Sequence, residues 1–426
     1  MSTPLPWLAP HRTTPFDGEI LVPGSKSLTN RALLLAAIAD RPSVLTRPLG
    51  SRDTNLMASA LTALGAHVRR DGMEWTVSPI GDGVTGEVDV DCGLAGTVMR
   101  FVPPLAALGS ATVTFDGDER ARERPMHTTI RSLRDLGVVI EDGGRETLPF
   151  TVKGSGEVAG GALEIDASAS SQFVSALLLA APGFVDGLDL RHTGETMPSQ
   201  PHVDMTVNEL RRRGVEVATA PGHWQVPHGT VEAVDVVIEP DLSNAGPFIA
   251  AALVTGGQVV IRSWPASTDQ AGDRWRDIAE AFGGSVERDG DDMVFTAGDE
   301  LLGVDFDLGD VGELTPVIAA VAALATGPSR LTGISHLRGH ETDRLAALAT
   351  EINRLGGQVT ELDDGLAIEP RPLHGETFQT YEDHRMAHAA VVLGLRVPDL
   401  YVENVVTTTK TYPNFAPVWE RAMTAS

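Results

Sequence analysis

The stretch Gly24-Ser-Lys-Ser-Leu-Thr-Asn-Arg31 runs directly into the apolar segment Ala32–Ala39, and five later stretches repeat that design. They are Gly93-Leu-Ala-Gly-Thr97 before Val98–Leu108, Ala167-Ser-Ala-Ser-Ser-Gln172 before Phe173–Ala181, and Asp241-Leu-Ser-Asn244 before Ala245–Val254. The last two are Val311-Gly-Glu-Leu-Thr315 before Pro316–Ala325 and Tyr381-Glu-Asp-His-Arg385 before Met386–Leu395. With Ser25, Leu94, Ala169, Ser243, Gly312 and His384 as markers, the spacings are 69, 75, 74, 69 and 72; a sixth of the 426 residues is 71. A period this long marks a repeated supersecondary unit.

A second series interleaves with the first. Leu64-Gly65, Leu136-Gly137, Arg213-Gly214, Phe282-Gly283 and Leu355-Gly356 are each followed three residues after the Gly by Val68, Ile140, Val217, Val286 and Val359. Gly after a last helical turn is a left-handed stop, and the β-branched residue beyond it opens a strand. Asp53–Leu64 and Glu341–Leu355 carry helical spacing. Glu19–Val22, Glu87–Val90, Ala111–Phe115 and Gln258–Ile261 read as short strands. Each unit therefore reads βαβαββ. The first helix of each is apolar nearly all round, so it should be buried with sheets outside it. The segment Val237-Ile-Glu-Pro-Asp-Leu242 falls between the third and fourth units and suggests two similar lobes. A cleft between lobes is a favoured place for a ligand.

Composition narrows the function. Lys plus Arg is 33 against 58 Asp plus Glu, a net charge of −25. That argues against nucleic acid or an anionic membrane surface as a partner, but a local basic cleft for a small anion remains open. No apolar run reaches the roughly 18 residues of a membrane helix. Met1–Pro10 lacks the basic and apolar regions of a signal peptide. Cys92 is the one cysteine, which leaves no intrachain disulfide and no Cys-based metal cluster. The default is a soluble intracellular protein. Lys26, Lys153 and Lys410 are the only lysines, so 30 of the 33 basic residues are Arg.

Chemistry concentrates in the helix-opening turns. Gly24-Ser-Lys-Ser27 with Arg31 one turn on suits an anion, because a helix start offers free N–H groups and a positive dipole end. It lacks the spacing of a nucleotide P-loop. Ser168-Ala-Ser170-Ser171-Gln172 can wrap a phosphate, although Ser is also the commonest plain cap. Gly93-Leu-Ala-Gly96-Thr97 lets backbone approach a ligand closely. Arg120-Ala-Arg122-Glu123-Arg124-Pro125 supplies guanidinium forks, with a solvated charged loop as the plainer alternative. Glu341 lies between His340 and Arg344 as an acid/base candidate; Asp383-His384-Arg385 and Lys410 supply further cations. The pairs His336/His340 and His384/His388 have a spacing that metal ligands use. Arg338 and Arg385 lie inside those spans and no His-Glu-x-x-His is present, so no metal is expected.

Taken in order, Pro23-Gly-Ser-Lys-Ser-Leu-Thr-Asn-Arg-Ala32, Gly96-Thr97, Glu123-Arg-Pro125, Ser170-Ser-Gln-Phe173, Glu341-Thr-Asp-Arg-Leu345 and Asp383-His-Arg-Met386 resemble the enolpyruvyl transferases. The closest branch is that of the 5-enolpyruvylshikimate-3-phosphate synthases (3-phosphoshikimate 1-carboxyvinyltransferases), and the resemblance covers nearly the whole chain. It implies a two-lobed inside-out α/β barrel of six βαβαββ repeats, three per lobe. One lobe would hold residues 1–20 and 241–426, the other 21–240, with the active site in the cleft between them. The implied reaction belongs to aromatic amino-acid biosynthesis: the 5-hydroxyl of shikimate 3-phosphate attacks C2 of phosphoenolpyruvate, and phosphate leaves a tetrahedral intermediate. It implies no cofactor, and a cytoplasmic monomer.

The same resemblance assigns roles. Lys26, Ser27, Arg31, Ser170, Ser171, Gln172, Ser199, Glu313 and His340 would bind shikimate 3-phosphate. Lys26, Gly96, Arg124, Gln172, Arg344, Arg385 and Lys410 would bind phosphoenolpyruvate. Glu341 would be the acid/base at the methylene, Glu313 the base for the hydroxyl, and Lys26 a further catalytic group. Glyphosate, an anionic inhibitor of the family, would share the pocket that Gly96 leaves open. Leu94, Glu313 and His340 stand where the family usually has Asn, Asp and Lys.

Three rivals make different demands. UDP-N-acetylglucosamine enolpyruvyl transferases usually carry a Cys in the loop matching Arg120–Arg124, and this loop has none. An RNA 3′-phosphate cyclase would bind a polyanion, against the net charge. A non-catalytic phosphometabolite-binding protein would suit the cations but not Glu313 and Glu341, which would repel its ligand.

Overall fold

In a computed structural model of the chain, residues 5–424 are described; the first four residues of the Met1–Pro10 segment lie outside them. The chain divides into two compact units. One is Gly24–Ile238; the other joins the residues up to Pro23 to those from Glu239 onward.

The Gly24–Ile238 unit has six α-helices: α1 (Lys26–Ala37), α2 (Arg52–Ala63), α3 (Gly96–Ala107), α4 (His127–Asp135), α5 (Gln172–Ala180) and α6 (Gln200–Arg211). The other unit holds α7 (Leu242–Thr255), α8 (Trp275–Ala281), α9 (Thr315–Ala323), α10 (Arg344–Arg354), α11 (His384–Gly394) and α12 (Phe415–Thr424). The apolar helices of the repeats are α1, α3 and α5 in one unit and α7, α9 and α11 in the other, and within each trio every helix touches the other two. Every residue of α3 is buried, as is every residue of α9 and α11. A helix apolar all round has no face for water, so it becomes the core of its unit.

Five sheets share one plan, a parallel pair extended by an antiparallel hairpin. Glu87–Asp91 runs parallel to Thr112–Asp116, which pairs antiparallel with Phe150–Lys153, which pairs with Val139–Glu141. Two sheets are completed from distant sequence. Asp17–Ile20 runs parallel to Gln258–Ile261, so the N-terminal segment belongs with the later unit. Val236–Val237 runs parallel to Leu45–Thr46 and closes the earlier one. The sixth sheet has three strands, Trp7–Leu8, Tyr401–Val402 and Thr377–Phe378.

The glycine stops fall where the sequence puts them: Gly65, Gly137, Gly214, Gly283 and Gly356 all have positive φ, from 76° to 107°. Several expected boundaries move, two of them by two or three residues. The strand read as Glu19–Val22 is Asp17–Ile20, because its partner fixes the register there. The helix read from Glu341 starts at Arg344, because the Asp343 side chain caps it by accepting from Ala346 N. Glu341 is thereby released from helical geometry to face other side chains.

Candidate active site

In the Gly24–Ile238 unit, the first turn of α1 is the polar stretch itself. Ser25 caps it by accepting from Leu28 N, and Lys26 is its first residue. Lys26 Nζ lies 3.3 Å from Oδ2 of Asp53, a buried carboxylate in the first turn of α2. Arg31 is buried. Its Nε donates to Thr206 Oγ1 at 2.8 Å, and its terminal nitrogens donate to the carbonyls of Ser27 and His202 at 3.2 and 2.8 Å. Burial pulls its pKa down to about 10, partly countered by Glu209. Arg31 thus ties α1 to α6, and Arg31 also reaches Ser175 of α5. Ser170 and Ser171 stand just before α5, and Ser199 stands just before α6 with a left-handed φ of 56°.

A second cluster surrounds Gly96 at the start of α3. A Cβ added at Gly96 would lie 3.0 Å from Nη1 of Arg100, 3.0 Å from Nη2 of Arg124 and 3.1 Å from Oε1 of Gln172. Arg100 Nη1 donates to Gln172 Oε1 at 2.8 Å, and Arg124 Nη1 donates to the Leu94 carbonyl at 3.2 Å. Leu94 therefore serves Arg124 through its backbone, whatever its side chain. Burial, then the charge of Arg124, pull the pKa of Arg100 well below normal. An anion against this pair relieves both penalties. Sequence reasoning passed over Arg100. The available signal was one Arg inside an otherwise apolar run; a buried cation rarely persists without a partner.

The other unit gathers Glu313, His340, Glu341, Arg344, Arg385 and Lys410. Arg344 makes a bidentate pair with Asp383, 2.7 and 3.1 Å, and both are buried. Arg344 Nη1 also contacts His340 Nδ1 at 3.4 Å. A guanidinium only donates, so this contact uses a lone pair on His340 Nδ1. Arg385 is buried and donates to the Ser243 carbonyl at 3.1 Å. Glu313, in the short 3₁₀ turn Gly312–Leu314, acts electrostatically on Arg344 and Arg385.

Glu341 receives Lys410 Nζ at 2.6 Å on Oε1 and His384 Nδ1 at 3.1 Å on Oε2. Burial favours its protonated form, but Lys410, His384 and Arg344 outweigh that and hold it well below the usual carboxylate range. His384, which the sequence suggested as a cation, is neutral here. Burial pushes its pKa down to about 4 despite Glu341, so it donates from Nδ1–H. Glu341, Asp383 and His384 offer ligand atoms within 4.8 Å of one another. Lys410 and Arg344 already face those carboxylates, and their charges oppose a metal cation there. The two spaced His pairs meet edge to face, with centroids 5.6 Å apart for His336 and His340 and 6.0 Å for His384 and His388.

Comparison with known proteins gives the family. The family model described as EPSP synthase (3-phosphoshikimate 1-carboxyvinyltransferase) matches residues 10–419. A 3-phosphoshikimate 1-carboxyvinyltransferase of Kocuria rhizophila is 55% identical over 424 residues, covering 97% of this chain and 95% of its own. Among solved structures, an EPSP synthase of Acinetobacter baumannii superposes with a TM-score of 0.80 at 23% identity, covering 98% of both chains. The enolpyruvyl transferase NikO of Streptomyces tendae does so at 0.76 and 18%, covering 98% of this chain and 97% of its own. The chain belongs to the EPSP synthase (3-phosphoshikimate 1-carboxyvinyltransferase) family.

Proposed function

We propose that this chain transfers the enolpyruvyl group of phosphoenolpyruvate to the 5-hydroxyl of shikimate 3-phosphate. The observation that carries the reading is the bare α-carbon of Gly96, bounded by two guanidiniums and the Gln172 amide. Two guanidinium forks and an amide around bare backbone suit a small anion. Ser170, Ser171 and Ser199 hold the shikimate phosphate, with Lys26, Ser27, Arg31, Gln172 and His340 completing that subsite. Gly96, Arg124, Arg344, Arg385, Lys410, Lys26 and Gln172 surround phosphoenolpyruvate.

In the addition step Glu313 takes the proton of the 5-hydroxyl while its oxygen bonds to C2. C3 gains a proton, and the product is a ketal phosphate. In the elimination step C3 loses a proton, the C2–O bond to phosphate breaks and phosphate departs. Resting Glu341 is a carboxylate, the form that removes the C3 proton. To deliver that proton first, it must hold one, and the negative charge of two bound substrates opposes Lys410 and Arg344 and raises its proton affinity. Cys92 takes no part: burial, with Asp91 and Asp116, pushes its thiol pKa up.

Work as a monomer in the cytoplasm belongs to the same proposal. No described helix is long and apolar enough to cross a membrane. The test is phosphate release by the purified chain. Release that needs both shikimate 3-phosphate and phosphoenolpyruvate supports the reading, and release driven by UDP-N-acetylglucosamine instead overturns it.

A further inference from the structure

Strands Gly161–Ile165 and Leu188–His192 run parallel and in register, and each feeds one loop of the proposed phosphate cradle. The first loop, residues 166–171, leads to Ser170, Ser171 and α5. The second, residues 193–199, leads to Ser199 and α6. His192 touches both. Ala167 N donates to His192 Nδ1 at 3.1 Å, and His192 Nε2 lies 3.2 Å from the Thr196 carbonyl oxygen.

These partners fix the tautomer. A backbone N–H only donates, so Nδ1 carries a lone pair; a carbonyl only accepts, so Nε2 carries the hydrogen. The loops are also in close contact at Gly194. A Cβ there would lie 2.1 Å from Ser168 Oγ, 2.4 Å from Asp166 Oδ1 and 2.6 Å from His192 Cε1. Ser199, at the far end of the second loop, has a left-handed backbone that a non-glycine residue adopts only when its surroundings hold it there.

We propose that His192 is a positioning residue for shikimate 3-phosphate: its neutral ring clamps the two loops and sets the spacing of Ser170 and Ser171 against Ser199. It acts through the serines, so the inference rests on the reading that those serines hold the phosphate. A proton on Nδ1 would face the Ala167 N–H and break that bond, leaving the Thr196 bond in place. The groups bearing on the ring's charge are Asp166, which interacts with both His192 and His127 of α4, and the exposed Glu195 in the second loop. On the neighbouring hairpin, His223 is engaged with Asp189 at 2.7 Å.

His192→Phe keeps a ring and removes both bonds. With the full chain at pH 8, it should raise KM for shikimate 3-phosphate about tenfold, the effect of one lost hydrogen bond. Turnover and KM for phosphoenolpyruvate should stay within about twofold. An unchanged KM for shikimate 3-phosphate, or an equal loss in kcat and both KM values, overturns the proposal.

If His192→Phe does not fold, His192→Asn and His192→Gln decide it. Asn can still accept from Ala167 N and Gln cannot, so Asn should bind the substrate more tightly; equal KM values overturn the clamp. Ser170→Ala and Ser199→Ala complete the set. If neither raises KM for shikimate 3-phosphate, the phosphate reading fails and the inference falls with it. If both do and His192→Phe does not, the inference alone fails.

Discussion

Arg344 and Asp383 form a buried bidentate pair, with Nε 2.7 Å from Oδ2 and Nη2 3.1 Å from Oδ1, and neither side chain is more than 3% exposed. Asp383 also caps its own helix by accepting from Arg385 N at 2.8 Å. One carboxylate thus holds the Arg344 guanidinium and caps the helix that carries Arg385. Asp383→Ala leaves the Arg344 charge buried and unpaired, and breaking such a pair typically costs about 3–5 kcal/mol. Thermal melting should show that loss, and Asp383→Asn, which keeps the cap, should lose less. Equal melting of the Ala variant and the parent would remove the pair from the account.

Gly96→Ala tests the anion pocket. The new methyl would sit 3.0 Å from both guanidiniums and 3.1 Å from the Gln172 oxygen, tighter than ordinary contact. Crowding of this kind typically costs about 1–3 kcal/mol. Glyphosate separates its carboxylate from its phosphorus by one more bond than phosphoenolpyruvate does, so its inhibition constant should rise more than KM for phosphoenolpyruvate does. Competition assays against phosphoenolpyruvate check this, and an unchanged inhibition constant would show that Gly96 does not line the pocket.

Glu313→Gln and Glu341→Gln keep shape and remove proton transfer. Each should lower kcat by about a hundredfold or more while changing substrate KM values far less. Steady-state kinetics decide each residue separately, and near-normal turnover excludes the variant residue from the chemistry.

The repeat was legible because backbone rules are local. Glycine stops, apolar periods and capping residues act over a few positions, so Gly65 or Gly356 could be read without a structure. The identity of Glu341, Arg344 and Lys410 as site candidates was also legible, from motif order. What the chain alone could not reveal is which charge each group carries. His384 looks like a cation in sequence, yet its burial beside Glu341 makes it neutral. Arg100 looked like part of a core helix until its neighbours Arg124 and Gln172, from two other segments, came into view. Asp53 and Asp383 carry no assigned role in the sequence reading for the same reason, since a positioning carboxylate has no signature apart from its partner.

Buried neutral histidines should shape stability against pH. Burial holds His384 and His336 down to about 4 and His388 well below its ordinary value. An unfolded His takes up a proton near pH 6.5, so between about 6.5 and 4 the unfolded chain binds more protons. Stability is therefore full above that window and falls as the pH drops through it. Neither ring nitrogen of His388 has a hydrogen-bond partner among the described residues. His388→Leu should flatten the acid decline without lowering the melting temperature at pH 7.5, as measured by calorimetry between pH 7.5 and 4.5. A decline as steep as the parent's would take His388 out of this explanation.

The central claim is enolpyruvyl transfer by addition and elimination, and one reaction run in D2O and followed by NMR tests it most directly. Purified chain given shikimate 3-phosphate and phosphoenolpyruvate should form one phosphate for each enolpyruvyl ether at the 5-oxygen. The vinyl methylene of that product should carry deuterium, because C3 becomes a methyl group before it loses a proton. Phosphate without the ether, or an ether with no deuterium at its methylene, would contradict the account.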